Sequence, residues 1–208
     1  MLQAPSPNFG PRRDGLTPHL VVLHYTAMAS AEAALERLCD PAAEVSAHYL
    51  IGADGRIWQL VDEAQRAWHA GAGSWHGWAD INSRSIGIEL DNDGQGPFAE
   101  PLMQALEGLL AVILSRWSIP PEGVIGHSDM APGRKWDPGP HFDWPRLERQ
   151  GLAARPHAAY VQDFRSTARA AGYTADADEA DVLAAVRLRL RPDGTGPLTP
   201  EDMAALIG

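Results

Sequence analysis

Short runs rich in β-branched and aliphatic residues alternate with helix-patterned stretches along most of this chain, and that alternation constrains its fold more than any other feature. Residues 20–25, Leu-Val-Val-Leu-His-Tyr, read as an apolar strand. Residues 47–51 and 56–61 flank Gly52-Ala53-Asp54-Gly55, a hairpin signal, and residues 85–90 alternate cleanly. Ser30 is placed to cap a helix that runs to Leu38 and stops before Pro41. Residues 102–117 carry Leu102, Leu106, Leu109, Leu110, Ile113, Leu114 and Trp117 on one helical face. Residues 124–126 are too short to classify. Strands interleaved with helices imply an α/β domain with one sheet covered by helices.

A second region follows. Residues 153–157 read as a linker broken by Pro156, and three short helices are expected at about 158–171, 179–190 and 199–207. Thr199 before Pro200 has the pattern of an N-cap with proline at the first helical position. The expected division is residues 1–152 as the main domain and 158–208 as a small three-helix domain, which suits a length of 208 residues.

Composition narrows the function. A net charge of −10 with no basic stripe argues against nucleic acid. No apolar run approaches the roughly 18 residues of a membrane span. Residues 1–7 carry neither a basic nor an apolar signal region, so a cytoplasmic location is expected, with the periplasm as the alternative should a signal have been removed. Cys39 is the only cysteine, which rules out an intramolecular disulfide and fits a reducing compartment. No motif bears on oligomeric state.

The chemistry centres on Gly126-His127-Ser128-Asp129 and Pro132-Gly133-Arg134-Lys135-Trp136-Asp137-Pro138-Gly139, a loop with His127 and Asp137 ten residues apart. His24 lies far upstream, on the same strand face as Leu20 and Val22. A lone histidine there is ordinarily a hydrogen-bonded core residue. Two imidazoles and a carboxylate together suit zinc, and three protein ligands leave a position for water. On residues 85–90, Ser85, Gly87 and Glu89 share a face cleared of bulk, where Glu89 is either a cleft residue or a solvated carboxylate.

Five segments in order, Val22 to Thr26, Val45 to Ile51, Arg66 to Gly71, Ser85 to Leu90 and His127 to Gly139, resemble the zinc-dependent N-acetylmuramoyl-L-alanine amidases, a family that includes the peptidoglycan-recognition proteins. The resemblance spans roughly residues 5–152. It implies a mixed central sheet flanked by helices, with the site at one edge, and Zn2+ held by His24, His127 and Asp137. Glu89 would be the general base that deprotonates water and later protonates the leaving amine, and Lys135 the stabiliser of the developing oxyanion. Arg134 carries the same charge, but Lys135 is at the family spacing. Where other members have a cysteine ligand and a catalytic tyrosine, this chain has Asp137 and Ala47, pointing to the branch with an Asp ligand and a Glu base.

The same resemblance places Trp68, His69 and Asn82 beside the substrate groove as substrate-binding residues. His48 is expected either to orient the ligands by a hydrogen bond or to be core. Trp75, His76 and Trp78 form either more groove or a packing lid. His19, His141 and His157 carry no functional case. The last 50 residues resemble, more loosely, the peptidoglycan-binding domain attached to many such amidases, through Gly172-Tyr173, Ala185-Val186 and the turn 191–194; a helical cap that only stabilises the catalytic domain is the alternative. The reading is an amidase that cleaves the bond between the lactyl group of N-acetylmuramic acid and L-alanine in muropeptides or peptidoglycan, acting in wall recycling. The alternatives are a wall hydrolase or a binding protein without turnover.

Overall fold

Strand Leu20–Tyr25 is flanked on both edges by parallel neighbours, and its first five residues are buried. The computed structural model describes residues 1–159 and 163–207. In chain order the elements are β1 (Leu2–Gln3), β2 (Phe9–Pro11), β3 (Leu20–Tyr25), α1 (Ala31–Cys39), β4 (Tyr49–Ile51), β5 (Ile57–Gln59), β6 (Gln65–Ala67) and α2 (Ile81–Arg84). Then come β7 (Ser85–Leu90), α3 (Glu100–Trp117), β8 (Val124–Gly126), α4 (His127–Met130), α5 (Trp144–Arg149), α6 (Phe164–Ala170), α7 (Glu179–Leu190) and α8 (Pro200–Ala205). The main sheet has the order β1-β5-β4-β7-β3-β8. Strands β4, β7, β3 and β8 run parallel, while β5 is antiparallel to β4, so the sheet is mixed as expected. The hairpin at 52–55 joins β4 to β5, and β2 and β6 form a separate antiparallel ribbon.

The two-residue period of the strands sorts the core. Val21, Leu23, Ile86, Ile88 and Leu90 face α3, whose Leu102, Leu106, Leu110 and Ile113 are fully buried against them. Each such aliphatic side chain contributes about 1.5–3 kcal/mol on leaving water. The opposite face is covered in two pieces. Leu50 and Trp58 pack with Ala34 and Leu38 of α1, which Ser30 caps by accepting from the amide of Ala33 at 3.2 Å. Leu20, Val22 and Ile125 pack with Phe164, Val182, Val186 and Leu206 from the C-terminal helices. Between these covers, at the carboxyl end of the strands, the sheet carries His24, Gly87 and Glu89 instead of bulk.

The C-terminal helices therefore share a core with the sheet. Residues 160–162, inside the expected helix 158–171, lie outside the described residues, and α6 is described from Phe164. α8 begins as its sequence indicates, with Thr199 as N-cap and Pro200 first. Asp202, its N3 residue, has no exposed surface and accepts from Arg187 at 2.6 and 3.0 Å and from Arg191 at 2.6 Å, tying α7 to α8.

Candidate active site

Parallel strands end together, and the ends of β3, β7 and β8 bring the polar residues to one place, the usual position of a site in such sheets. His24 and Glu89 are register partners on adjacent strands and so share a face. β8 stops at Gly126, and the chain turns into α4 beginning with His127. The Ser128 amide donates to the Asp137 carbonyl at 2.9 Å, closing the proline- and glycine-rich loop so that Asp137 returns to His127.

Three atoms converge. His24 Nδ1 lies 2.9 Å from His127 Nδ1 and 2.9 Å from Asp137 Oδ2, and His127 Nδ1 lies 3.0 Å from the same oxygen. All three residues are at most 8% exposed, and they form a group competent to hold a metal ion. The Ala70 carbonyl accepts a hydrogen bond from His127 Nε2 at 2.9 Å, so the ring's other nitrogen, Nδ1, is the one turned to the corner. Burial first, and His127 beside it second, push the His24 imidazole down to about 4, so it is neutral near pH 7. Burial alone would raise the Asp137 carboxyl, but His127 and His24 hold it well below the usual carboxylate range. Two imidazoles and a carboxylate whose polar atoms meet at one point fit a cation, and the N2O donor set fits zinc.

Beside this corner opens a cleft of about 430 Å³, bounded by the 134–137 loop, Trp68 and α1. Glu89 lines it, with Oε2 buried and without a hydrogen-bond partner. Burial, then the charge of Asp137, raise its carboxyl well above the normal range, and Lys135 opposes the rise. Lys135 also lines the cleft. Arg134 is committed to the scaffold: its Nη2 donates to the carbonyl of Ala70 at 2.6 Å and to that of Ala72. Arg134 lines the same cleft as Lys135.

The remaining expected residues divide. Trp68 is half-buried and lines the cleft, held by its amide donating to Ser46 Oγ at 2.9 Å. His69 also borders the cleft, but both its ring nitrogens face protein: Nδ1 is 3.0 Å from His24 Nε2 and Nε2 is 3.2 Å from Ser85 Oγ. Asn82 does not line the cleft. It is buried, and its Oδ1 accepts from the amides of His69 at 3.0 Å and Ala70 at 2.8 Å. His48 makes no hydrogen bond to His24, His127 or Asp137. Its Nδ1 accepts from the Gly87 amide at 2.9 Å and its Nε2 faces the Gln65 carbonyl at 3.1 Å, so it pins β7 and β6 together. Trp75 is a packing residue, edge-on to Tyr173 at 5.1 Å and buried.

Three residues were given no role at the site from sequence. Trp136, 50% exposed, and Arg37 of α1 both line the cleft. Tyr173 donates to Asp129 Oδ1 at 3.2 Å, while Asp129 Oδ2 accepts from the Gly126 amide at 2.7 Å, so a C-terminal residue supports the turn that presents His127. The aromatic next to Lys135 and Asp137 was a usable signal for Trp136. The Tyr173 contact spans 44 residues and left none.

The chain belongs to the N-acetylmuramoyl-L-alanine amidase family, whose model matches residues 14–140. Among curated relatives, AmiD of Escherichia coli (strain K12) is 39% identical over 205 residues, covering 90% of this chain and 71% of AmiD. The 1,6-anhydro-N-acetylmuramyl-L-alanine amidase AmpD of Citrobacter freundii is 35% identical over 162 residues, covering 70% and 87%. Among solved structures, E. coli AmiD in complex with the substrate anhydro-N-acetylmuramic acid-L-Ala-D-gamma-Glu-L-Lys superposes with a TM-score of 0.80 at 34% identity, covering 93% of this chain and 89% of that one. AmpDh3 of Pseudomonas aeruginosa with anhydromuramic pentapeptide gives 0.81 at 31%, covering 97% and 92%.

Proposed function

We propose that this chain is a zinc amidase that cleaves the bond between the lactyl group of N-acetylmuramic acid and L-alanine, and that it acts on soluble 1,6-anhydro-muropeptides in wall recycling. The observation that carries the reading is the meeting of His24 Nδ1, His127 Nδ1 and Asp137 Oδ2 at one point beside Glu89, on the floor of an open cleft. Zinc held by those three atoms supplies Lewis acidity toward an amide carbonyl and lowers the pKa of water to about 7.

The chain's own residues supply the proton traffic. The unpartnered oxygen of Glu89 accepts a proton from the attacking water as the new C–O bond forms, and returns it to the amine as the C–N bond breaks. The raised carboxyl suits a group that must hold that proton between the two steps. Lys135, on the same cleft, places a positive charge for the oxygen of the tetrahedral intermediate. Trp68 and Trp136 offer flat surfaces for sugar and peptide. The soluble substrate is supported by the anhydro-muramyl substrate in the AmiD complex and the anhydromuramic pentapeptide bound to AmpDh3.

No described helix is long and apolar enough to cross a membrane. The test is mass spectrometry of products from anhydro-muropeptides and from intact sacculi, with and without chelator, alongside cell fractionation. Release of free stem peptide from the soluble fragment, lost with chelator, by a cytosolic protein is expected. Efficient cleavage of sacculi by protein recovered outside the cytosol would make it a wall hydrolase, and binding without product would make it a recognition protein.

A further inference from the structure

The hydrogen bonds behind the metal corner fix where each imidazole proton sits. A carbonyl oxygen only accepts, so Ser85 Oγ, 2.7 Å from the Ile81 carbonyl, spends its one proton there. Toward His69 Nε2 at 3.2 Å it then offers only lone pairs, and His69 Nε2–H donates to it. A neutral imidazole carries one N–H, which leaves His69 Nδ1 as an acceptor for the Nε2–H of His24 at 3.0 Å. His24 Nδ1 is therefore bare where it meets His127 and Asp137. On the other side, the Ala70 carbonyl sets His127 in the same tautomer in a single step.

His69 and Ala70 are consecutive, and one side chain holds both: Asn82 Oδ1 accepts from both their amides. The sheet makes room for this segment at Gly87, where a Cβ would stand 2.4 Å from the His69 ring. Glycine inside a strand commonly marks such an approach.

We propose that the segment His69–Ala70, pinned by Asn82, is the device that orients both imidazole ligands, with His69 the positioning residue that fixes the tautomer of His24. The proposal rests on the zinc reading of the corner and concerns residues that lie behind it. It moves His69 and Asn82 from substrate recognition to preparation of the ligand set.

The test combines three readouts on purified full-length protein: zinc affinity by chelator competition, long-range 1H–15N spectra of the metal-free protein that report which nitrogen of His24 is protonated, and metal-free thermal stability. His69→Asn keeps an acceptor near the Nδ1 position, and His69→Leu keeps bulk without one. The expected result is a His24 Nε2–H tautomer in the wild type, an affinity loss of roughly 10- to 100-fold in His69→Leu, and recovery of most of it in His69→Asn. If His69→Leu does not fold, Ser85→Ala serves, since it frees the His69 ring to reverse; a mixed His24 tautomer is then expected. A wild-type His24 protonated on Nδ1, or zinc bound by His69→Leu or Ser85→Ala as tightly as by wild type with an unchanged tautomer, overturns the proposal. Failure of the wild type to bind zinc would instead remove the zinc reading itself, and the tautomer spectra would still judge the orienting network on its own.

Discussion

At the inner corner of the cleft, His24, His127 and Asp137 are buried, and the ring nitrogens that turn away from the corner meet protein partners. Along the outer wall, Trp68 is half-buried while Arg37 and Trp136 stand exposed on the cleft. The corner gains its geometry from other parts of the chain: Ala70 and His69 behind His127 and His24, and Tyr173 against Asp129 in the turn that carries His127. The wall gains only its position. Preorganised groups serve steps in which charge develops, whereas a wall of exposed side chains accommodates a substrate. Changes at the corner should therefore appear in metal content and kcat, and changes along the wall in KM.

The largest effect is expected from His127→Ala, which removes a ligand and leaves a buried carboxylate without one of its two imidazole partners. Zinc by elemental analysis should fall from one per chain to near none, with hydrolysis at background. Normal zinc content would erase the distinction between corner and wall at once. Glu89→Gln should retain zinc and fold while turnover drops roughly 10²- to 10⁴-fold, the scale of lost acid–base catalysis. Lys135→Ala should cost on the order of 10² in kcat, again with zinc retained. Single-turnover kinetics on an anhydro-muropeptide read both, and wild-type rates would assign either residue to the wall.

Much of this division could be read from residues alone. The strand of Leu20, Val22 and His24, the cleared face of Ser85, Gly87 and Glu89, the Ser30 cap and the Thr199-Pro200 helix start are local patterns, and local patterns survive in sequence. The cluster of His24, His127 and Asp137 was legible through the wording around His127 and Asp137. The support behind them was not, because it depends on contacts between distant segments: His69 reaches His24 across 45 residues and Tyr173 reaches Asp129 across 44. β1, with two residues, and α2 and α4, with four each, are too short to impose a period. Gly87 was the one visible trace of the His69 ring. The C-terminal helices were expected beyond a linker, as a binding domain or as a stabilising cap, and apolar faces on α6 and α7 pack with Leu20 and Val22, a contact that no local pattern in the sequence marks.

That shared core sharpens the comparison in a different way. Asp202→Ala leaves Arg187 without its buried carboxylate partner and should cost about 3 kcal/mol of stability, seen as a lower denaturation midpoint. The protein that remains folded should keep zinc and kcat, because Asp202 touches neither corner nor wall. The smallest effect is expected at the wall itself: Trp68→Ala should raise KM several-fold, about 1 kcal/mol for one lost aromatic surface, with kcat and zinc unchanged. A drop in kcat instead would mean that Trp68 belongs functionally to the corner.

The central claim is that three protein atoms meet to hold one zinc and leave it open to water. Crystals of the purified protein, measured by anomalous diffraction at the zinc edge, test it most directly. The account expects one zinc bonded to His24 Nδ1, His127 Nδ1 and Asp137 Oδ2, with nitrogen distances of about 2.0–2.1 Å and a non-protein oxygen in the fourth position facing Glu89. A zinc closed by a fourth protein ligand, or bound through His69 in place of His24, would contradict it.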